Sequence, residues 1–236
     1  MRIAIISDIH GNQVALEAVL HDLSQQAPVD HLVIAGDLCL NGPRPKEVLQ
    51  LIQSLQCPVI QGNVDVDTIT GAPTKSPKKR RIIAWTQEQI GQEGIDYLAS
   101  LPFSHLITNP HGSNALIVHA SPRTQNEAIF PTASDETLEE QLGSLNATIG
   151  ALAFGHLHIP YVRHWRQLLL VDVGSCGLPR DEDARASYGL LTWQDGSWHA
   201  EIRRVSYDIE QVVRQLRECG IPHARSRIKI LTTAKY

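Results

Sequence analysis

The chain has 236 residues, 42% of them hydrophobic and 19% charged, with a formal net charge of −4. This balance excludes a disordered chain, and its sign excludes nucleic-acid binding by bulk positive charge. No apolar run reaches the roughly 18 residues of a membrane-spanning helix, and the first one meets an acid at Asp8, too early for a signal peptide. The expectation is a cytoplasmic protein without membrane contact, a single domain over 1–236 with 221–236 as an extension or tail. Cys39, Cys57, Cys176 and Cys219 contain no Cys-x-x-Cys pair, which suits reduced thiols better than a disulfide frame.

The first 65 residues repeat one pattern. Arg2–Ile6 reads as a buried strand ending at Ser7-Asp8-Ile9-His10-Gly11-Asn12, and Val14, Leu16, Val19, Leu20 and Leu23 then recur at helical spacing until Pro28. A second apolar run, 31–35, ends at Gly36-Asp37. Val48, Leu49, Ile52 and Leu55 form the inward stripe of a helix that starts at Pro45. Residues 57–60 make a third strand, ending at Gln61-Gly62-Asn63. Strand, loop and helix in this alternation predict βαβ construction on a largely parallel sheet.

Residues 64–103 are less regular. Pro73 and Pro77 mark a loop, Lys78-Lys79-Arg80-Arg81 reads as solvated, and a helix with breaks at Gly91 and Gly94 spans 82–101. The strand pattern returns at 115–118, running into His119, and at 151–154, running into Gly155-His156-Leu157-His158. Antiparallel strands follow at 161–165, 168–173, 188–193 and 198–205, with Asp195-Gly196 turning the last hairpin. Asp208 caps a closing helix that ends at Gly220-Ile221-Pro222. The basic tail beyond it, with Arg225, Arg227, Lys229 and Lys235, reads as solvated.

Five apolar runs end in metal-capable side chains: Asp8 with His10, Asp37, Asn63, His119, and His156 with His158. Ligand sites of α/β sheets lie beyond the carboxyl ends of the strands, so these residues can meet at one rim. Four imidazoles, two carboxylates and an amide oxygen are too many for one ion that must also bind water. With one carboxylate shared they suit two ions, at a spacing of roughly 3.5–4 Å. Nitrogen and oxygen ligands without thiolate point to Mn²⁺, Fe or Zn²⁺. Two such ions, two aspartates and a hydroxide leave a net charge of about +1, which attracts a phosphate ester.

In this order, Asp8-x-His10, Gly36-Asp37, Gly62-Asn63, His119 and Gly155-His156-x-His158 resemble the calcineurin-like metallophosphoesterase superfamily. The Asp-x-His-Gly-Asn opening is most similar to its small bacterial and archaeal phosphodiesterase branch. The resemblance implies an α/β fold, a four-layer αββα sandwich of two mixed β-sheets with helices outside. It implies a dinuclear-metal-dependent phosphoric ester hydrolase, a phosphodiesterase first, in which a metal-bridging hydroxide attacks phosphorus in line. Asp8, His10 and His158 would hold one ion, Asn63, His119 and His156 the other, and Asp37 would bridge them. Asp37, Asn63 and His119 form the implied catalytic set. The implied ions are Mn or Fe, with Zn or Ni as further choices.

Asn12, Arg123 and Arg180 lie in loops after the motifs and are candidate phosphate contacts. The expected partner is a small phosphate ester, nucleotide derivatives included. A phosphomonoesterase or dinucleoside-polyphosphate hydrolase is the nearest alternative. A non-catalytic protein-interaction scaffold, the use that the retromer subunit makes of this fold, is the alternative of another class. A homodimer through 64–103 or the tail stays open.

Three positions depart from the family pattern or sit beside a departure. Val64 stands where many members carry a histidine that protonates the leaving alkoxide, so good leaving groups are expected to turn over best. Asp65 reads as a solvent-facing loop residue or as a carboxylate orienting a ligand histidine. Asp172-Val173-Gly174-Ser175 replaces the Asn-Pro-Gly-Ser of many relatives.

Overall fold

A computed structural model describes residues 1–73 and 75–235. In chain order its elements are β1 (Arg2–Ile6), α1 (Gln13–Ser24), β2 (His31–Ile34), α2 (Pro45–Ser54), α3 (Asn63–Thr70), α4 (Pro77–Ser100), β3 (Ser104–Ile107) and β4 (Asn114–Val118), followed by α5 (Asp135–Leu142), β5 (Ile149–Phe154), β6 (Tyr161–Trp165), β7 (Leu168–Asp172), β8 (Ala186–Gln194), β9 (Ser197–Val205), α6 (Ile209–Glu218) and α7 (Ala224–Thr233). No helix among the described residues is long and apolar enough to cross a membrane.

Both sheets are mixed. One has the order β2-β1-β8-β9, the other β3-β4-β5-β7-β6. β1 and β2 are parallel, as are β4, β5 and β7, which brings the carboxyl ends of these strands to one rim. The period of two along a strand builds the layers. Ile3 and Ile5 of β1 face Ile117, Ala151, Ala153 and Val171 in a core between the sheets. Ala4 and Ile6 face the opposite way, under Leu16 and Val19 of α1 and Val48 and Ile52 of α2. On the far side Leu152, Phe154 and Leu170 pack against Leu138 and Leu142 of α5. The result is the four-layer αββα sandwich that the resemblance implies.

Several local expectations are corrected. Residues 57–60 do not form a strand; only an isolated bridge joins Val59 to Ile34. Pro58 has no N–H to offer a ladder, although its carbonyl accepts from Ile34 N at 3.0 Å and keeps the segment beside β2. α4 starts at Pro77 rather than at 82, since Ser76 caps it through Lys79 N at 3.3 Å and proline suits its first turn. The basic run is therefore helical. Gly91 kinks α4 at φ 65° and ψ −176°, while Gly94 continues it.

The tail is not a loose strand of charge either. α7 buries Leu231 with Val212, Leu216 and Ile221 against Leu40, Val64 and Ile82. Removing such side chains from water contributes roughly 1.5–3 kcal/mol each. That packing holds α6 and α7 beside the rim where the β1 and β2 loops end.

Candidate metal centre

The seven anticipated ligands come together. Asp8 and His10 follow β1, Asp37 follows β2, Asn63 opens α3, His119 follows β4, and His156 and His158 follow β5. Asp8, His10, Asp37 and His158 are buried and offer ligand atoms within 4.8 Å of one another. Beside them, Asn63 Oδ1 lies 2.9 Å from His119 Nε2 and 3.1 Å from His156 Nδ1. Asp37 touches both groups, with Oδ2 3.8 Å from His10 Nε2 and Oδ1 3.3 Å from His119 Nε2.

Proton placement tests whether these atoms suit a cation. The Nδ1 atoms of His10, His119 and His158 lie 2.9, 2.9 and 2.5 Å from the carbonyl oxygens of Leu40, Ala35 and Leu178. A carbonyl only accepts, so each Nδ1 carries a proton, and in the tautomer this selects the lone pair is at Nε2. Yet His10 Nε2 faces His158 Nε2 at 3.1 Å, and His158 Nε2 faces Asp8 Oδ1, also at 3.1 Å. Asp8 Oδ1 is fully buried and has no hydrogen-bond partner. Lone pairs aimed at lone pairs in a buried site repel unless a cation lies among them. The donor set fits divalent metal ions.

The charges of the site are mutually dependent. Burial opposes the Asp8 carboxylate, but His158 and His10 beside it hold its pKa well below the usual carboxylate range. Burial lowers the pKa of His10 and of His156. For His119 burial acts the same way and is outweighed by Asp37 and Asp8, which raise it.

The backbone is strained where the ligands attach. Asp8, His10, Asp37, His156 and His158 all have φ between 51° and 72°, a region costing non-glycine residues about 1–3 kcal/mol each. Other contacts hold it there. The buried Asp65 carboxylate accepts from Asp37 N at 2.9 Å, Leu38 N at 3.0 Å and Gly62 N at 2.9 Å, clamping the Asp37 and Asn63 loops together. It neither faces solvent nor orients a histidine. Burial and the Asp37 charge raise its pKa to about 7 against the pull of those N–H groups. Gly62 passes so close that a Cβ there would lie 2.2 Å from Asp37 Oδ1. Ser175 Oγ and Gly177 N donate to Asp8 O at 2.7 and 3.0 Å, stitching the loop after β7 to the end of β1.

A cavity of about 430 Å³ opens over the centre. Of the three candidate phosphate contacts only Arg180 lines it. Asn12 is buried, its Oδ1 capping α1 through Ala15 N at 3.1 Å and its Nδ2 donating to Gly177 O at 3.0 Å, so both ends of the amide are used within the fold. Arg123 donates to Glu140 O at 2.9 Å and pairs with Glu127 and Glu140, away from the cavity. Lys78, Lys79, Asn41 and Arg227 line the cavity without having been anticipated. The available signal was charge: both basic runs lack acids, and Ser76-Pro77 is a helix start.

Residues 1–196 match the model of the calcineurin-like phosphoesterase superfamily domain, and the chain belongs to that family. It is 31% identical over 240 residues to an uncharacterized protein of Methanocaldococcus jannaschii, with 93% of each chain covered. The crystal structure of a metallophosphoesterase from Sphaerobacter thermophilus superposes with a TM-score of 0.80 at 30% identity, covering 99% of this chain and 100% of that one. A shorter match, 26% identical over 57% of this chain and 50% of the relative, is to the symmetrical bis(5'-nucleosyl)-tetraphosphatase of Delftia acidovorans.

Proposed function

We propose that the protein hydrolyses phosphoric esters with two divalent ions, Mn²⁺ or Fe first, and acts on phosphodiesters and related disubstituted phosphoryl groups. The supporting observation is the arrangement of bare lone pairs in two adjoining sets that share Asp37. Asp8, His10 and His158 hold one ion in this reading, Asn63, His119 and His156 the other, and Asp37 serves both. When bound, the pair supplies Lewis-acid polarisation of the phosphoryl oxygen and brings the pKa of water towards neutrality.

The chain's own groups do the rest. The carbonyls of Leu40, Ala35 and Leu178 fix the histidine tautomers and ring orientations, turning Nε2 of each towards the centre. Asp65 holds Asp37 and the start of α3 in register. Arg180 offers a fork to non-bridging oxygens. The new P–O bond forms to the water oxygen as the bond to the leaving oxygen breaks. Val64 lines the cavity and cannot donate a proton, so a leaving oxygen that is stable as an anion departs most readily.

The test is turnover of bis(p-nitrophenyl) phosphate and p-nitrophenyl phosphate by protein stripped with chelator and reloaded with Mn²⁺. The expected result is metal-dependent hydrolysis, faster for the diester. Absence of turnover on both by fully loaded protein would overturn it.

A further inference from the structure

One wall of the cavity is made by the first turn of α4 and by α7, and Lys78 Nζ donates to Ser226 Oγ at 3.2 Å, tying the two helices together. Lys79 on that wall pairs with Asp67 at 2.6 Å. Arg227, the residue after Ser226, is placed differently. It lines the cavity together with His10, Asp37, His156 and His158, and an adjoining crevice together with His10 and Asn41. Its hydrogen bond goes to a neutral group, Nη1 donating to Asn41 Oδ1 at 2.9 Å. Its Nε is buried without a partner, and burial lowers its pKa.

A guanidinium bonded through Nη1 keeps its Nε–Nη2 edge, two parallel N–H groups that match two oxygens of one anionic group. Ordering such a side chain costs entropy and desolvation, which one bond to an amide returns only in part. The fold nevertheless builds a support for it. Ile221 and Leu231, beside and within α7, pack against Leu40 and Val64. The carbonyl of Leu40 is the one that accepts from His10 Nδ1. The helix carrying Arg227 is thus fixed to the loop that orients a candidate ligand, although it lies beyond the family-matched residues 1–196.

Charge gives the open edge its ligand. Two divalent ions, Asp8, Asp37 and a hydroxide sum to about +1, which matches the single charge of a phosphodiester. A phosphomonoester, or the phosphate it releases, carries up to about one charge more near neutral pH and a further non-bridging oxygen. One fixed cation on the cavity wall balances that excess, and Asp37 is the one carboxylate among the described residues that line the cavity. We propose that Arg227 is a substrate-contacting residue of this centre, holding oxygens of the phosphoryl group under attack through its Nε–Nη2 edge, and that it sets how well monoesters are accepted relative to diesters. The proposal rests on the phosphoester-hydrolase reading of the same site.

The test uses full-length protein loaded with Mn²⁺, with thermal unfolding to confirm that each variant is folded. Inorganic phosphate is titrated by calorimetry, and kcat/KM is measured on p-nitrophenyl phosphate and bis(p-nitrophenyl) phosphate. Arg227→Gln should weaken phosphate binding by about 10–100-fold, the loss of a charged hydrogen bond. It should lower kcat/KM for the monoester by a similar factor and for the diester by less, so that the preference for the diester widens. Arg227→Lys, which keeps the charge without the fork, should recover part of the loss. Asn41→Ala releases Nη1 and leaves the guanidinium in place, so it should weaken phosphate binding less than Arg227→Gln does. Phosphate binding that is absent from the wild type or unchanged in Arg227→Gln would overturn this proposal alone. So would an Asn41→Ala variant that matched Arg227→Gln in every readout, because Arg227 would then only support the Asn41 loop. Arg227-dependent phosphate binding by a protein that hydrolyses neither ester would support the contact and overturn the hydrolase reading instead.

Discussion

Gly62→Ala tests whether close packing onto Asp37 fixes the centre. Gly62 has φ −97° and ψ 172°, which alanine adopts freely, so the substitution gains about 0.4–1 kcal/mol by restricting the unfolded chain. The added Cβ would lie 2.2 Å from Asp37 Oδ1 and 2.3 Å from Asp37 N. A carbon–oxygen contact needs about 3.3 Å, so Asp37 or its loop must give by roughly 1 Å. Overpacking of this kind costs about 1–3 kcal/mol. The net loss is about 1–2 kcal/mol, or roughly 2–8 °C in Tm for a chain of this length. The functional loss is larger, because displacing a reacting group by about 1 Å costs on the order of 10²-fold. Gly71 supplies the comparison, with φ 72° and nothing within 4 Å of an added Cβ. Gly71→Ala should lose about 1–2 kcal/mol to the left-handed backbone and keep its Mn²⁺-dependent kcat/KM. Thermal unfolding and kcat/KM on bis(p-nitrophenyl) phosphate would be measured for both variants. If Gly62→Ala retained activity equal to that of Gly71→Ala, the close-packing argument would be refuted.

Other perturbations follow from the same structure. Asp37→Asn should lower kcat/KM by about 10²-fold or more and reduce the Mn²⁺ stoichiometry in calorimetry; two ions with full turnover would exclude a shared carboxylate. With Val64 where an acid would stand, an aryl diester should be hydrolysed faster than an alkyl one by about 10²–10⁴-fold, and equal rates would point to an unrecognised proton donor. Asp22 accepts from Tyr188 Oη at 2.7 Å and Arg203 Nη2 at 3.1 Å. Burial opposes its charge, but Tyr188 and Arg203 lower its pKa. A depressed carboxylate stabilises above its unfolded pKa of about 3.9 and ceases to as pH falls through the folded value. Asp22→Asn should therefore cost about 1 kcal/mol at pH 7 after solvent screening and progressively less below about pH 4. Urea unfolding at the two pH values reads this, and a constant difference would contradict it.

The residues of the proposed metal centre were legible because each ends or follows an apolar run, and strand direction then gathers all of them but Asn63 at one rim. Asp8, Asp37 and His119 needed nothing finer. Asp65 was misread because its partners are backbone N–H groups of residues 37, 38 and 62, which no local pattern marks. Residues 57–60 have strand composition, but Pro58 denies them a ladder. β3 and α5, of four and eight residues, are too short for periodicity to announce. Arg227 was hidden for a different reason. Its place in the cavity depends on Leu231 and Ile221 packing against Leu40 and Val64, contacts made across more than half the chain. Asn12 and Arg123 had suitable chemistry in suitable loops, and only the hydrogen bonds they make inside the fold reassign them.

Anomalous scattering from crystals soaked in Mn²⁺ tests the dinuclear centre most directly. Two peaks are expected, roughly 3.5–4 Å apart, one against Asp8, His10 and His158 and the other against Asn63, His119 and His156, with Asp37 between them. A single peak at saturating Mn²⁺, or peaks that do not flank Asp37, would contradict it.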